Sequence, residues 1–140
     1  MFIKQLSVFV ENSAGKLQQI IEELGKGGVN LRALSIAETA DFGVLRLIVD
    51  DESKARGILK EMGVISKTTD VIAVYIDDKT GGLAAVLKTF TENSVNIEYM
   101  YAFLGRKEGK ALMVLKADDG EKAARMLHEN GLELASPDEN

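Results

Sequence analysis

The chain repeats itself at an interval of 66 residues, and this repeat limits the possible folds more than any other feature. Val8-Phe9-Val10 aligns with Val74-Tyr75-Ile76 at that interval. After a slip of two residues, the segment from Ala55 to Gly63 aligns with the segment from Ala123 to Gly131. The matched positions are apolar anchors, turn glycines and an asparagine. An interval of this length indicates a duplicated supersecondary unit, and we therefore predict two modules, residues 1–69 and 70–140.

Composition excludes several classes of function. Of the 140 residues, 46% are hydrophobic, which is enough for a folded core. The net charge of −5 opposes nucleic-acid binding, which needs a basic face. The chain has no cysteine, so disulfides and thiolate-ligated metals are excluded. The apolar run from Leu6 to Val10 is too short for a signal peptide, and no stretch approaches the length of a membrane span. We expect a soluble cytoplasmic protein without a cofactor.

Hydrophobic periodicity predicts the same order of elements in both modules. In the first module, strands are predicted at Ile3–Val10, Leu31–Glu38, Val44–Val49 and Val64–Ser66. A helix carrying Leu17 to Leu24 follows the first strand and ends at the glycines from Gly25 to Gly28, and a second helix ends at Gly63. Asp50 and Asp51 precede that second helix, where their oxygens are expected to cap it.

The second module repeats this order, with strands predicted at Val71–Ile76, Ile97–Leu104, Lys110–Leu115 and Leu132–Ala135. Its helices carry Leu83 to Phe90 and Ala123 to Leu127. The βαββαβ order predicts an α+β, ferredoxin-like fold that is duplicated. Only Lys67–Asp70 forms a polar gap between the modules, so we expect them to lie side by side as an eight-stranded antiparallel sheet with helices on one face.

Each module has a turn between its first strand and first helix, followed later by the entry into its second strand. These segments are Val10 to Leu17 with Gly28 to Leu31, and Ile76 to Leu83 with Ser94 to Ile97. They resemble the corresponding segments of the ACT domain, a small-molecule-sensing module that is usually specific for amino acids. The resemblance covers essentially the whole chain and implies a stand-alone tandem ACT protein, similar to proteins described as like acetolactate synthase regulatory subunits. The proline that often precedes the turn glycine of this family is replaced by Ala14 and Thr80.

These turns suit the binding of a free α-amino acid. Gly15 and Gly81 stand where a strand reverses into a helix, a place that often needs positive φ. A helix N-terminus offers unpaired N–H groups to a carboxylate, and the upstream Asn12 or Asp78 could accept hydrogen bonds from an ammonium group. The resemblance further implies that an asparagine reaches each site from the neighbouring module, so that Asn96 would join Asn12 and Asn30 would join Asp78.

We therefore predict two unequal sites at the junction of the modules. The predicted ligand-binding residues are Asn12, Ala14, Gly15, Lys16, Leu17, Asn30, Asp78, Thr80, Gly81, Gly82, Leu83 and Asn96. Plainer roles remain open: Asn12 and Asp78 would equally serve as turn or cap residues, and Asn30 and Asn96 as strand-entry residues. No catalytic or metal-binding residues are predicted.

Aromatic residues at alternate positions distinguish the second module from the first. Tyr99, Tyr101 and Phe103 share one face, which we expect to be the open face of the sheet, joined there by Phe9 and Tyr75. The opposite face, with Met100, Ala102 and Leu104 here and Leu34 and Ile36 in the first module, is expected to form the core. Exposed aromatic patches often mark interfaces, so a homodimer through the aromatic face is predicted. Packing of the aromatic residues under a loop is the alternative.

The leading functional hypothesis is a non-catalytic amino-acid-binding protein that regulates a partner enzyme of amino-acid metabolism. Regulation is implied by the resemblance alone, because linkage requires two states that the sequence does not display. The alternative is a structural or adaptor ACT protein with degenerate pockets. An acylphosphatase-like enzyme is disfavoured because neither turn contains arginine. RNA binding through an aromatic sheet is disfavoured by the acidic composition.

Overall fold

The computed structural model describes residues 2–11, 13–38, 42–105 and 107–137. Within these residues it contains six strands and four helices, which confirms the α+β class. The elements are β1 (Ile3–Glu11), α1 (Lys16–Lys26), β2 (Leu31–Glu38), β3 (Phe42–Val49), α2 (Glu52–Glu61), β4 (Ser66–Asp77), α3 (Gly82–Glu92), β5 (Ile97–Ala102), β6 (Lys110–Ala117) and α4 (Gly120–Glu129).

The chain divides into two compact units, which we call the first unit (residues 4–69) and the second unit (residues 70–137 with Phe2 and Ile3). In the first unit, β3 pairs antiparallel with β1 on one side and with β2 on the other. Leu6 lies opposite Leu47, and Val8 opposite Leu45. Both helices pack on the face that carries these four residues, because Ile20 of α1 and other apolar helix residues lie in the same buried cluster.

The second unit repeats this construction. β6 pairs antiparallel with β4 and with β5, and Ile72 of β4 lies opposite Leu115. Val86 and Phe90 of α3 belong to the same buried cluster as these residues, as does Leu127 of α4. Phe2 packs against this cluster too, which explains why the start of the chain groups with the second unit.

The eight expected strands are not shown, because the described residues contain six. Of the predicted fourth strand of the first module, Ser66 alone lies in a strand, and the Ile65 carbonyl oxygen accepts a hydrogen bond from the Phe9 N–H. The predicted polar gap Lys67–Asp70 is part of β4, which is 12 residues long. Near the end of the chain, Leu132–Ala135 forms a single bridge, between Leu134 and Val74, with two flanking backbone hydrogen bonds to β4.

Some predicted element ends also shift. Gly25 lies inside α1, which ends at Lys26 with Gly27 as its C-cap, because the backbone hydrogen bonds of the helix continue through a single glycine. The sequence also predicts a hairpin turn at Asp41, Phe42 and Gly43, between the second and third strands. Phe42 and Gly43 instead belong to β3, and Leu104 lies beyond the end of β5. Asp41 lies outside the described residues.

The strand faces are as predicted, but their burial is not. The register puts Tyr101 opposite Val114 and Tyr99 opposite Lys116, away from the face on which Met100 packs against the core. These two tyrosines stack with their ring centroids 6.5 Å apart, and like Phe103 they are half-buried. Tyr75 is nearly buried, whereas Phe9 is exposed.

The core prediction for the outer strands is largely wrong. Leu34 and Ile36 lie on the core face of β2, opposite Leu47 and Leu45, yet they are 38% and 50% exposed. Ala102 and Leu104 are exposed as well. Leu31, at the beginning of β2, packs against the core cluster of the first unit, whereas Leu34 and Ile36 are not members of that cluster.

None of the helices in the described residues is long and apolar enough to cross a membrane.

Candidate functional site

The strand-to-helix turns have the backbone conformation that the sequence predicts. Gly15 and Gly81 are the N-cap residues of α1 and α3, with φ of 84° and 85°. This left-handed region is costly for residues with a Cβ atom. No atom lies within 4 Å of where a Cβ would stand at either glycine. Glycine is therefore required here by backbone conformation and not by crowding.

The turn glycines leave N–H groups open at the start of each helix. Gly81 has no side chain that could cap α3, and the first hydrogen bonds run from the Gly82 N–H to the Lys79 carbonyl oxygen (3.0 Å) and from the Ala85 N–H to the Gly81 carbonyl oxygen (3.1 Å). Among the described residues, the N–H groups of Leu83 and Ala84 between them have no acceptor. Two open donors at the positive end of a helix dipole suit a carboxylate.

The corresponding turn of the first unit has the same open positions. The Lys16 N–H donates to the Ser13 carbonyl oxygen (3.4 Å) and the Gln19 N–H to the Gly15 carbonyl oxygen (3.0 Å). Within the described part of this turn, no acceptor is found for the N–H groups of Leu17 and Gln18. Both turns therefore present the same pair of donors, as the repeat predicts.

The turn of the second unit is anchored to the β5–β6 hairpin. The Asp78 N–H donates to the Gly109 carbonyl oxygen (3.1 Å). Asp77 forms an ion pair with Lys110 (Nζ to Oδ1, 2.5 Å) and a longer one with Lys79 (3.8 Å). The hydrogen bond from Lys110 lowers the pKa of Asp77, since it stabilises the charged carboxylate. Asp77 is thus engaged in fixing the turn, and Asp78, the next residue, is exposed.

Gly82 is needed for a different reason than Gly81. It is buried, and a Cβ added there would fall on the carbonyl oxygen of Asp77 and 3.1 Å from its carbonyl carbon. The equivalent position of the first unit holds Lys16, whose side chain is half-buried. The two turns therefore share a backbone path at Gly15 and Gly81 but pack differently at the next residue.

A reciprocal backbone clamp holds each strand-entry asparagine. The Asn30 N–H donates to Asp50 Oδ1 (2.9 Å), and the Asp50 N–H donates to the Asn30 carbonyl oxygen (3.1 Å). Asn96 and Asp118 form the same two bonds, at 3.1 Å and 3.0 Å. The clamps engage only backbone atoms of the asparagines, and both asparagines are exposed.

These clamps are not predicted from the sequence, where both acids of each pair are expected to cap the following helix. Only the second acid caps its helix: Asp51 Oδ1 accepts from the Lys54 N–H, and Asp119 Oδ1 from the Lys122 N–H, both at 3.1 Å. The first acid of each pair recurs in both modules at the same place before the helix. That repetition was the available signal for a second role.

The predicted residues gather at two kinds of position. The first kind is the turn around Gly15 or Gly81. The turn of the first unit contains Ala14, Lys16 and Leu17, and the turn of the second unit contains Asp78, Thr80, Gly82 and Leu83. The asparagines stand at the start of the second strand of their unit, held by the clamps. Asn12 lies outside the described residues. The pairings of Asn96 with Asn12 and of Asn30 with Asp78 stay predictions.

Each unit also has an open groove between its last helix and the segment that follows it. The first, of about 550 Å³, is lined by residues from Ser53 to Ser66, including Arg56 and Lys60. The second, of about 520 Å³, is lined by His128 and residues 131–134. Neither groove includes a predicted ligand-binding residue. In the described residues, no group of three or more His, Asp or Glu could hold a metal ion.

Known proteins share this architecture. The family model described as an ACT domain pair matches residues 1–140. The crystal structure of a protein from Bacteroides thetaiotaomicron is 38% identical, with a TM-score of 0.91, and the match covers 99% of this chain and 94% of that one. No curated protein matches the chain.

Two more distant structures share the fold. The ligand-free regulatory subunit of aspartate kinase from Thermus thermophilus is 14% identical, with a TM-score of 0.63, and the match covers 90% of each chain. The aspartate kinase of Clostridium acetobutylicum, described as an allosteric enzyme, is 15% identical, with a TM-score of 0.56, and the match covers 90% of this chain and 32% of that one. With a family model spanning its whole length and a relative above 30% identity, this chain belongs to the ACT domain family, as an ACT domain pair.

Proposed function

We propose that this chain is a non-catalytic regulatory protein that binds a free α-amino acid. The observation that carries the proposal is the pair of open N–H groups behind Gly81, at Leu83 and Ala84, with an exposed carboxylate residue, Asp78, on the same turn. The donors suit an α-carboxylate, and a carboxylate suits an ammonium group. The two ends of an amino acid would thus meet opposite charges within one turn.

The proposal includes two sites, at the junction of modules 1–69 and 70–140, completed by Asn96 and Asn30. The backbone clamps of Asp118 and Asp50 support this role, because they fix the asparagine backbones without engaging the side-chain amides. The site that contains Asp78 should bind more tightly than the site that contains Asn12, since hydrogen bonds to a charged group are about twice as strong as neutral ones.

Regulation of a partner enzyme of amino-acid metabolism is proposed from relatives. The Thermus thermophilus structure is a regulatory subunit of aspartate kinase, and it shares this fold. A ligand can regulate a partner enzyme through this protein only if it binds two conformational states of the protein with unequal affinity. The proposed form is a homodimer in the cytoplasm, with Tyr99, Tyr101 and Phe103 as candidate contacts, and the modules side by side as an eight-stranded sheet.

A thermal-shift panel of the 20 amino acids tests binding. A ligand at 100 times its Kd should stabilise the protein by about 2.7 kcal/mol, which is a rise of several degrees in Tm for a chain of this size. Asp78→Asn should then weaken binding in calorimetry, whereas the control Asp119→Asn, which keeps a capping side chain on α4, should leave the affinity unchanged. A panel without any shift would favour an ACT adaptor with degenerate pockets.

A further inference from the structure

The tip of the β5–β6 hairpin is a four-residue turn, from Lys107 to Lys110, that is closed by its own hydrogen bond. The Lys110 N–H donates to the Lys107 carbonyl oxygen at 2.9 Å. Gly109, the third residue of this turn, has φ of 72°, a backbone conformation that favours glycine. The Gly109 carbonyl oxygen, which accepts the hydrogen bond from the Asp78 N–H, therefore belongs to a defined turn.

Lys107 attaches the hairpin tip to the sheet of the second unit. Its Nζ lies 4.9 Å from the centroid of the Tyr75 ring, which is a cation–π distance, and 3.4 Å from Glu133 Oε2. Tyr75 is nearly buried, and its N–H donates to the Glu133 carbonyl oxygen at 2.9 Å. Lys107 therefore joins the tip to a nearly buried aromatic residue and to the segment that follows α4.

The strand-to-helix turn of the second unit is attached to this tip at two consecutive residues. Asp77 forms its ion pair with Lys110 across the β4–β6 register, and the Asp78 N–H donates to the Gly109 carbonyl oxygen. The Asp77 carbonyl oxygen also accepts a hydrogen bond from the Lys79 N–H at 3.0 Å. Asp77 thus carries both the side-chain attachment to the hairpin and the first backbone bond of the turn.

The described residues of the first unit contain no equivalent of the ion pair between Asp77 and Lys110. Phe42 of β3 lies opposite Glu11 in the strand register, in the place where Lys110 lies opposite Asp77. A phenylalanine side chain carries no charge, and Glu11 forms no ion pair with any residue that the structure describes. The described turns therefore differ in their side-chain attachment to the neighbouring strand.

The backbone bonds of the two turns differ in the same sense. The Gly82 N–H donates to the Lys79 carbonyl oxygen at 3.0 Å, which is a usual length, whereas the corresponding bond of the first unit, from Lys16 to Ser13, measures 3.4 Å. A longer bond of this kind is weaker. The turn that is attached to its hairpin is thus also the more tightly bonded turn.

We infer that Lys110 is a positioning residue: through Asp77, the hairpin tip holds the turn of the site that contains Asp78 in place before an amino acid binds. The inference rests on the proposed function, since it concerns the same site. A turn that is already ordered does not add the free-energy cost of ordering it to the cost of binding. This site is therefore the tighter of the two for a reason additional to the charge of Asp78.

Amide hydrogen exchange of the full chain, followed by NMR without amino acid, tests whether the hairpin holds the turn. Lys110→Met should speed the exchange of the Asp78 and Gly82 amides by about two- to fivefold, the range expected for loss of an exposed ion pair. Lys110→Arg keeps the charge and should preserve the wild-type rates. The amides of α4, in the same unit, report any general loss of stability.

A matched control and salt separate positioning from packing. Lys116→Met removes another lysine of β6, one that pairs with Glu98 at 3.4 Å, and should leave the Asp78 and Gly82 amides unchanged. Salt screens exposed ion pairs, so the wild-type exchange rates of these two amides should rise with ionic strength towards those of Lys110→Met. The rates of Lys110→Met itself should depend little on salt.

Calorimetry with each of the 20 amino acids of the thermal-shift panel completes the test. An amino acid that binds the wild type and loses affinity in Asp78→Asn should bind Lys110→Met about two- to fivefold more weakly and Lys116→Met as tightly as the wild type. Unchanged exchange of the Asp78 amide in Lys110→Met, equal effects of both lysine variants, or unchanged affinity of such an amino acid for Lys110→Met would each overturn the inference. A panel without binding would refute the proposed function, and the exchange rates would still decide whether Lys110 holds the turn.

Discussion

Gly81→Ala isolates the cost of the left-handed backbone on which the candidate site depends. Gly81 has φ of 85°, and nothing lies within 4 Å of where the new methyl group would stand. The substitution therefore creates no clash, removes no contact and leaves the N–H groups of α3 in place. Any loss of stability must come from the backbone conformation itself.

The expected size of that loss follows from the conformational preference of residues with a Cβ atom. The left-handed region costs such a residue about 1–2 kcal/mol relative to the right-handed region. With a urea dependence of about 2 kcal/mol per molar, typical of small proteins, the denaturation midpoint should fall by roughly 0.5–1 M at unchanged slope.

Gly57→Ala provides a matched control of opposite sign. Gly57 lies inside α2, and here too nothing lies within 4 Å of where a methyl group would stand, but its φ is not positive. Alanine in a helix interior is favoured over glycine by about 0.5–1 kcal/mol, so this variant should be more stable than the wild type. If Gly81→Ala were as stable as the wild type, or if both variants lost stability equally, the assignment of Gly81 to conformational need would be refuted.

Three further predictions address the cap, the ion pair and the core. Asp119→Ala removes the acceptor of the Lys122 N–H at the start of α4 and should lower the free energy of unfolding by about 1 kcal/mol in urea titrations. Lys110→Met should raise the pKa of Asp77 towards 3.8 in an NMR carboxyl titration. Because the pKa of Asp77 is lower in the folded than in the unfolded protein, the wild-type ion pair stabilises the fold at pH values above the unfolded-state pKa. This contribution is lost as the pH falls through the folded-state pKa. Phe90→Ala empties a site that is only 2% exposed and should cost about 3–5 kcal/mol, so a midpoint close to that of the wild type would contradict the assigned core.

Much of the fold could be predicted because its determinants are local and occur twice. The bounds predicted for β2 agree with the structure, and Ile20, Leu24, Val86 and Phe90 occupy the buried faces that helical spacing predicts. The positive φ of the turn glycines followed from their position between a strand and a helix. A repeat strengthens each of these inferences, because an accident in one module would not recur in the other.

Less of the candidate site than of the fold could be predicted from the sequence. The clamp of Asn30 by Asp50 joins residues 20 positions apart, and its bonds depend on the separate paths of β2 and the α2 cap. The engagement of Asp77 by Lys110 likewise depends on the pairing of β4 with β6. Pattern and spacing indicate residue types that can bind, but they do not predict the ion pair of Asp77 with Lys110.

The sequence by itself determined the duplication, the α+β class, the helix faces and the glycine turns, because periodicity and local backbone preference act over a few residues. Only the tertiary structure decided that Lys67–Asp70 is part of β4 instead of a polar gap, and that Leu34 and Ile36 stay exposed on the core face. Strand pairing and helix coverage are long-range properties. They depend on which backbone groups and apolar surfaces meet after folding, and these contacts join residues that are far apart in the sequence.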